Sequence, residues 1–187
     1  MLDATPPEPV SAAGLRVGIA VSRYHADITG AMLHGAERAF SGAGGAPGDV
    51  LVVPAPGAWE LLPVAVAMAE RGDLHGVVCL GCILTGETTH DQWLAGGLAS
   101  GLADLTNRTG LPAAFGVLTC QTREQAIARA GGGTSGDGRQ LGNKGDEAML
   151  ATLGAISAAR TARTTASGGP FPRSSALLAA PAKDVSP

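Results

Sequence analysis

The sequence predicts an α/β fold: a central four-stranded parallel sheet held between helical layers as a three-layer α/β/α sandwich. Three observations lead there. Four short, nearly continuous apolar runs recur along the chain, as strands covered on both faces require. Between them lie longer segments with apolar residues at helical spacing. The two patterns alternate, an order that builds a parallel sheet flanked by helices.

The elements follow in sequence. Leu15–Ser22 reads as the first buried strand, and Ile28, Met32, Ala36 and Phe40 mark a helix with Asp27 or Thr29 available as its cap. Val50–Val53 is the second strand. Leu61–Ala69 is apolar nearly all round, which predicts a helix covered on several sides, another subunit included. Gly76–Ile83 is the third strand; Leu94, Leu98, Leu102 and Leu105 mark a long helix starting near Thr88. Ala113–Leu118 is the fourth strand, and Thr122-Arg-Glu-Gln125 has the form of a capping box opening a shorter helix. Glu147–Arg160 supplies the last helix, with Met149, Leu150, Leu153 and Ile156 on one face.

Composition bounds the rest. A chain of 187 residues suits one core, and 45% apolar against 16% charged residues argues for a folded domain rather than disorder. The domain is expected over 15–160, with a flexible Pro- and Ala-rich arm over 1–14 and a disordered Ser/Ala/Pro-rich tail over 161–187. Gly131–Gly142 reads as a Gly-rich polar loop. A net charge of −3 gives no reason to expect nucleic acid or an anionic membrane as partner. No apolar run approaches the roughly 18 residues of a membrane span. The N-terminus lacks a basic start and apolar stretch, and Cys79, Cys82 and Cys120 cannot all pair, so a reducing cytoplasm is expected.

Ligands of open α/β sheets bind beyond the carboxyl ends of the strands. Ser22-Arg23-Tyr24-His25 follows the first strand there, and Pro54 to Glu60 the second. Cys82 to His90 follows the third, and Thr119-Cys120-Gln121 the fourth. Gly86–His90 opens a helix, whose first-turn amides and partial positive charge suit a phosphate; Thr88 and Thr89 add hydroxyls. The plainer alternative is that either threonine only caps the helix. His90 beside that site is able to exchange protons near neutral pH, or is an ordinary surface histidine. Trp59 with Glu60, and Tyr24, suit a flat polar ring held by stacking and charge-assisted hydrogen bonds, or are simple packing residues. Cys79-Leu-Gly-Cys82 is not read as a redox or zinc pair. It lies within a strand, where positions three apart face opposite sides. Gly131–Gly133 is followed by no Gly-Lys-Ser/Thr and is no phosphate loop of that kind.

Six segments in register carry a resemblance. They are Ser22-Arg-Tyr-His25, Pro56-Gly-Ala-Trp-Glu60, Gly86-Glu-Thr-Thr-His90, Phe115-Gly-Val-Leu-Thr119, Gln125-Ala-Ile-Ala-Arg-Ala-Gly131 and Gly142-Asn-Lys-Gly145. Together they closely resemble lumazine synthase. The resemblance implies a flavodoxin-like sandwich that condenses 5-amino-6-(D-ribitylamino)uracil with 3,4-dihydroxy-2-butanone 4-phosphate, without a metal or redox cofactor. It implies Tyr24 stacking on the pyrimidine, and Ala58, Trp59 and Glu60 holding ring and ribityl chain. Cys82, Ile83 and Leu84 would act through backbone groups; Gly86, Glu87 and Thr88 would bind phosphate, with Arg129 clamping it. His90 would be the acid/base, and Lys144 would lie near a ring carbonyl. Phe115 and Arg129 would come from a neighbouring subunit of a homopentamer, with assembly into a larger shell and riboflavin synthase as further partners. Thr85, where many members carry Arg or Lys, His25 for a common Asn and Trp59 for a common Phe depart from the pattern. So do the extra residues around Gly136-Asp-Gly-Arg139. Two readings from other classes stay open. One is a non-catalytic ligand carrier, the other a five-fold riboflavin synthase; a flavodoxin-like signalling domain is more distant.

Overall fold

A computed structural model describes residues 10–133 and 142–164, and it shows the expected layers. The chain runs β1 (Val17–Ser22), α1 (Ala26–Gly42), a 3-10 turn (Pro47–Asp49), β2 (Val50–Ala55) and α2 (Leu61–Glu70). It continues through β3 (Gly76–Leu84), α3 (His90–Thr109), β4 (Ala113–Cys120), α4 (Arg123–Arg129) and α5 (Lys144–Thr164). The strands form one parallel sheet in the order β2-β1-β3-β4.

Strand alternation divides the core into two halves. Val17, Ile19, Val21, Val78, Leu80 and Cys82 face α1, α4 and α5, where Ile28, Met32, Phe40, Met149 and Leu153 meet them. Ala20, Val77, Cys79, Ile83 and Val117 face α2 and α3, with Leu61, Ala65, Met68, Leu98 and Leu102. Cys79 and Cys82 thus belong to opposite faces of the sheet, as their spacing in a strand requires.

Asn143 ties the first half together. Its Nδ2 donates to the carbonyls of Ala31 (2.9 Å) and Ala130 (2.7 Å), and its Oδ1 accepts from the Gly145 amide at 2.8 Å. One buried amide therefore joins α1, the end of α4 and the start of α5. Every polar atom it brings inside the protein is matched, which offsets its desolvation. This is why the last helix begins at Lys144 rather than at Glu147, where apolar spacing alone starts it.

Several other boundaries differ from the sequence expectation. The N-cap of α1 is His25, not Asp27 or Thr29. Asp27 pairs with Arg123 of α4, and the Thr29 hydroxyl donates to the Ser22 carbonyl at 2.7 Å. The capping box of α4 is half formed. Thr122 accepts from the Gln125 amide, but the Gln125 side chain accepts from the Gln121 amide instead of returning to Thr122. Near the proposed domain ends, Ala12 is fully buried in the core and α5 continues to Thr164, past 160. The first nine residues, the loop insertion at 136–139 and most of the expected tail lie outside the described residues.

This chain alone covers two apolar elements only in part, and the cover expected for α2 included another subunit. β2 is an edge strand, half-buried along most of its length with Pro54 exposed, since one flank has no neighbouring strand. Helix α2 buries only Leu61, Ala65 and Met68; Leu62, Val64 and Val66 remain half-covered by this chain.

Candidate active site

β1 has β2 on one side and β3 on the other, so the connections leave in opposite directions there and open a crevice beyond the strand ends. A cleft of about 470 Å³ occupies it. Tyr24 and His25 reach it from the end of β1, Gly57 to Glu60 from β2, and Cys82 to Leu84, Gly86, Thr88 and His90 from β3 and the start of α3. Asp91 and Leu94 complete the wall.

Local backbone chemistry presents each group. His25 sits in the left-handed region (φ 58°, ψ 49°), the one non-glycine residue among those described with positive φ. That turn swings Tyr24 outward, and the His25 ring meets the Tyr24 ring edge-on at 4.9 Å between centroids. Histidine is among the residues that tolerate this conformation, and strain of this kind gathers at functional sites. Glu60 follows a turn in which its carboxylate folds over Gly57. A Cβ on Gly57 would stand 2.9 Å from Oε2. The Trp59 indole rests on Gly97 of α3, where a Cβ would come within 2.6 Å of the ring. Trp59 is nevertheless half-exposed, and it separates this cleft from a second hollow of about 940 Å³ beside Trp93, Gly96 and Ser100. The larger hollow is mostly apolar and shares Glu60 and His90 with the smaller one, which adds Tyr24, His25, Thr88 and Asp91.

The start of α3 is not consumed by side-chain caps. Thr89 occupies the cap position without a capping hydrogen bond, and Thr88 accepts from the His90 amide only at 3.5 Å. The first turn thus keeps donor capacity facing the cleft, and nothing stands within 4 Å of a Cβ built on Gly86. No group of three or more His, Cys, Asp or Glu side chains with metal-site geometry occurs among the described residues.

Phe115, Arg129 and Lys144 lie elsewhere. They line a separate cleft of about 420 Å³ on the β4 side, together with Thr119 and Glu147. Arg129 donates to the Gln125 carbonyl of its own helix at 3.3 Å, and Lys144 pairs with Glu147. Glu87 is exposed and does not line the first cleft. Asp91 is given no role by the sequence reading, and Asn143 only a place in the Gly142–Gly145 segment. Asp91 needed the path of the turn to bring it to the cleft, whereas Asn143 was legible as an Asn immediately before a helical segment.

The cysteines are shielded. Burial pushes the Cys79 thiol up to about 12 and that of Cys82 up to about 11, the latter raised further by Cys120 beside it. Thiolates are the reactive form, so neutral iodoacetamide should label neither residue in the folded protein and both after unfolding. Labelling of the native protein within minutes would contradict this. The same shift acts on stability. Unfolded thiols ionise near 9.0 and folded ones do not, so their contribution is complete below that pH and is lost as pH climbs toward 12.

Fold and cleft together define a doubly wound α/β protein with a cleft at its topological switch point, where open sheets of this class hold their ligands. Comparison with known proteins gives the particular family. Residues 14–160 match the family model for 6,7-dimethyl-8-ribityllumazine synthase. The 6,7-dimethyl-8-ribityllumazine synthase of Thermus thermophilus is 42% identical over 144 residues, 77% of this chain and 87% of that one. The enzymes of the same name from Rhodopirellula baltica and Bacteroides fragilis are 40% and 36% identical, covering 74% of this chain and 84% and 92% of theirs. The chain belongs to the 6,7-dimethyl-8-ribityllumazine synthase family, transferases of riboflavin biosynthesis.

Proposed function

We propose that this chain condenses 5-amino-6-(D-ribitylamino)uracil with 3,4-dihydroxy-2-butanone 4-phosphate, releasing phosphate and water, in the cleft at the strand ends. The observation that carries the reading is the convergence of Tyr24, Trp59, Glu60, Thr88 and His90 on that cleft from three successive strand ends. Tyr24 and Trp59 supply aromatic faces for the pyrimidine, and Glu60, without a side-chain hydrogen-bond partner among the described residues, accepts from the ribityl hydroxyls. Ala58, Cys82, Ile83 and Leu84 form the remaining wall. Gly86, Glu87 and Thr88 shape the phosphate end at the helix start, where the backbone amides and the Thr88 hydroxyl are the donors. Glu87 contributes through its backbone, since its carboxylate would repel the anion.

The ring amine attacks the ketone to give an imine, phosphate is eliminated, and the ribityl-bearing nitrogen closes the second ring. These condensations and the elimination are redox-neutral overall, so the steps call for proton movement and leaving-group stabilisation. His90 moves the protons, and holding two substrates together lowers the remaining barrier.

Phe115, Arg129 and Lys144 complete the site from a neighbouring copy. The reading is favoured by their position on a cleft separate from His90 in the same chain. The incompletely covered face of α2, exposed Trp93 and the apolar hollow beside it fit a surface closed by further copies, in a homopentamer. Arg129 then offers the planar fork that a leaving phosphate needs. Three free cysteines fit a cytoplasmic enzyme, and no described helix is long and apolar enough to cross a membrane.

The test is an absorbance assay for lumazine formation from the two substrates, read as a rate above the spontaneous reaction. The wild-type protein should accelerate it clearly, and His90→Ala should lose about tenfold or more. No acceleration by folded, assembled protein would overturn the proposal.

A further inference from the structure

One carboxylate in the cleft has no part in the roles assigned so far. Asp91 is the second residue of α3, next to His90, and it lines the same cleft as Glu60 and Leu94. Its Oδ1 is shut off from solvent and meets no hydrogen-bond donor, the one such buried side-chain atom among the described residues. Leaving an acceptor of a carboxylate buried and unmatched is costly, and native proteins rarely retain one without a use for it.

The first turn of α3 explains how the group is tolerated. A carboxylate there is favoured by the helix dipole, which offsets part of the lost hydration. The dipole does not supply a hydrogen bond, however. Because the residue lines the cleft, a small shift of the side chain, permitted by the broad χ2 torsion of aspartate, puts its carboxylate within reach of donors on a molecule bound there.

We infer that Asp91 is a substrate-binding residue that accepts hydrogen bonds from the donor-rich, uncharged substrate, as a second carboxylate beside Glu60. The inference rests on the function proposed above and deepens it. An ionised carboxylate is acceptor-only, so it discriminates between the two substrates by chemistry. The aminopyrimidine carries amino, ring N–H and hydroxyl donors. The phosphate group of the other substrate offers an ionised carboxylate no such donors and brings like charge.

The test compares wild type with Asp91→Asn and Asp91→Ala in the lumazine assay, varying each substrate separately, with thermal unfolding measured in parallel. Asparagine keeps the shape and one neutral acceptor; alanine keeps neither. The KM for the aminopyrimidine should rise about tenfold or more in Asp91→Ala and by less in Asp91→Asn. The KM for the butanone phosphate should stay within about twofold. An unchanged KM for the pyrimidine, an equal rise for both substrates, or a fall in Tm alone would overturn the assignment. Failure of the functional reading itself looks different. Wild-type protein would then give no rate above the spontaneous one, whatever stands at position 91.

Discussion

Replacing Gly145 by alanine is expected to destabilise the fold by about 3 kcal/mol or more, enough to leave much of the protein unfolded in mild denaturant. A Cβ at this position would lie 1.9 Å from the Met32 carbonyl oxygen and 2.9 Å from its Cα. The obstacle is the backbone of α1, which no rotamer change can move. Relief requires α5 to lift off α1, and that would break the Asn143 hydrogen bonds to Ala31 and Ala130 and open the contact around Met32 and Met149. Lys144→Ala is the control. It removes only an exposed pair with Glu147, whose contribution is at most about 1 kcal/mol. Urea unfolding of the two variants checks the difference. A loss below about 1 kcal/mol for Gly145→Ala would mean that the two helices are not held this close.

Mixing two impaired variants is expected to give more activity than either has alone, at a phosphate-substrate concentration well below the raised KM of Arg129→Ala. His90 lines one cleft and Arg129 another, and the proposed site takes one from each of two neighbouring copies. Assemblies re-formed from an equal mixture of His90→Ala and Arg129→Ala subunits would hold about a quarter of their sites with both native residues. Each variant alone would hold none. The expected reading is a rate near a quarter of wild type, measured after joint refolding, against the low rates of the separately refolded variants. The phosphate substrate should show the Arg129 loss chiefly as a raised KM, because a clamp on a non-reacting oxygen acts in binding as well as in the transition state. A mixture no more active than the average of its parts would place Arg129 and His90 in the same chain's site or remove Arg129 from the chemistry.

Much of the architecture is legible in the sequence. The four apolar runs and the helical spacing of Ile28–Phe40 and Leu94–Leu105 mark their elements because burial in a sheet or along one helix face imposes its own period. The strand ends named the residues of the first cleft for the same reason: in a parallel sheet all carboxyl ends lie on one side. Spacing alone also separated Cys79 from Cys82, since a strand turns positions three apart to opposite faces.

The features that escaped the sequence depend on contacts between distant segments. Asp27 looked like a cap, but Arg123, far along the chain, takes its carboxylate, and the cap position falls to a left-handed His25. α5 starts early because Asn143 finds carbonyls on α1 and at the end of α4, partners that no local window contains. Apolar composition suggested cover on both faces for β2 and on several sides, another subunit included, for α2. Only the strand order reveals that β2 stands at an edge, and only packing shows that one face of α2 suffices for this chain's core. The sequence by itself determined the layers, the strand-end location of the cleft and the family. The tertiary structure decided which helix ends are free, that Phe115, Arg129 and Lys144 stand apart from His90, and that Asp91 holds an unmatched oxygen at the cleft wall. Periodicity is a property of neighbours along the chain, whereas the matching of polar atoms and the cover of a surface depend on what the fold brings from elsewhere.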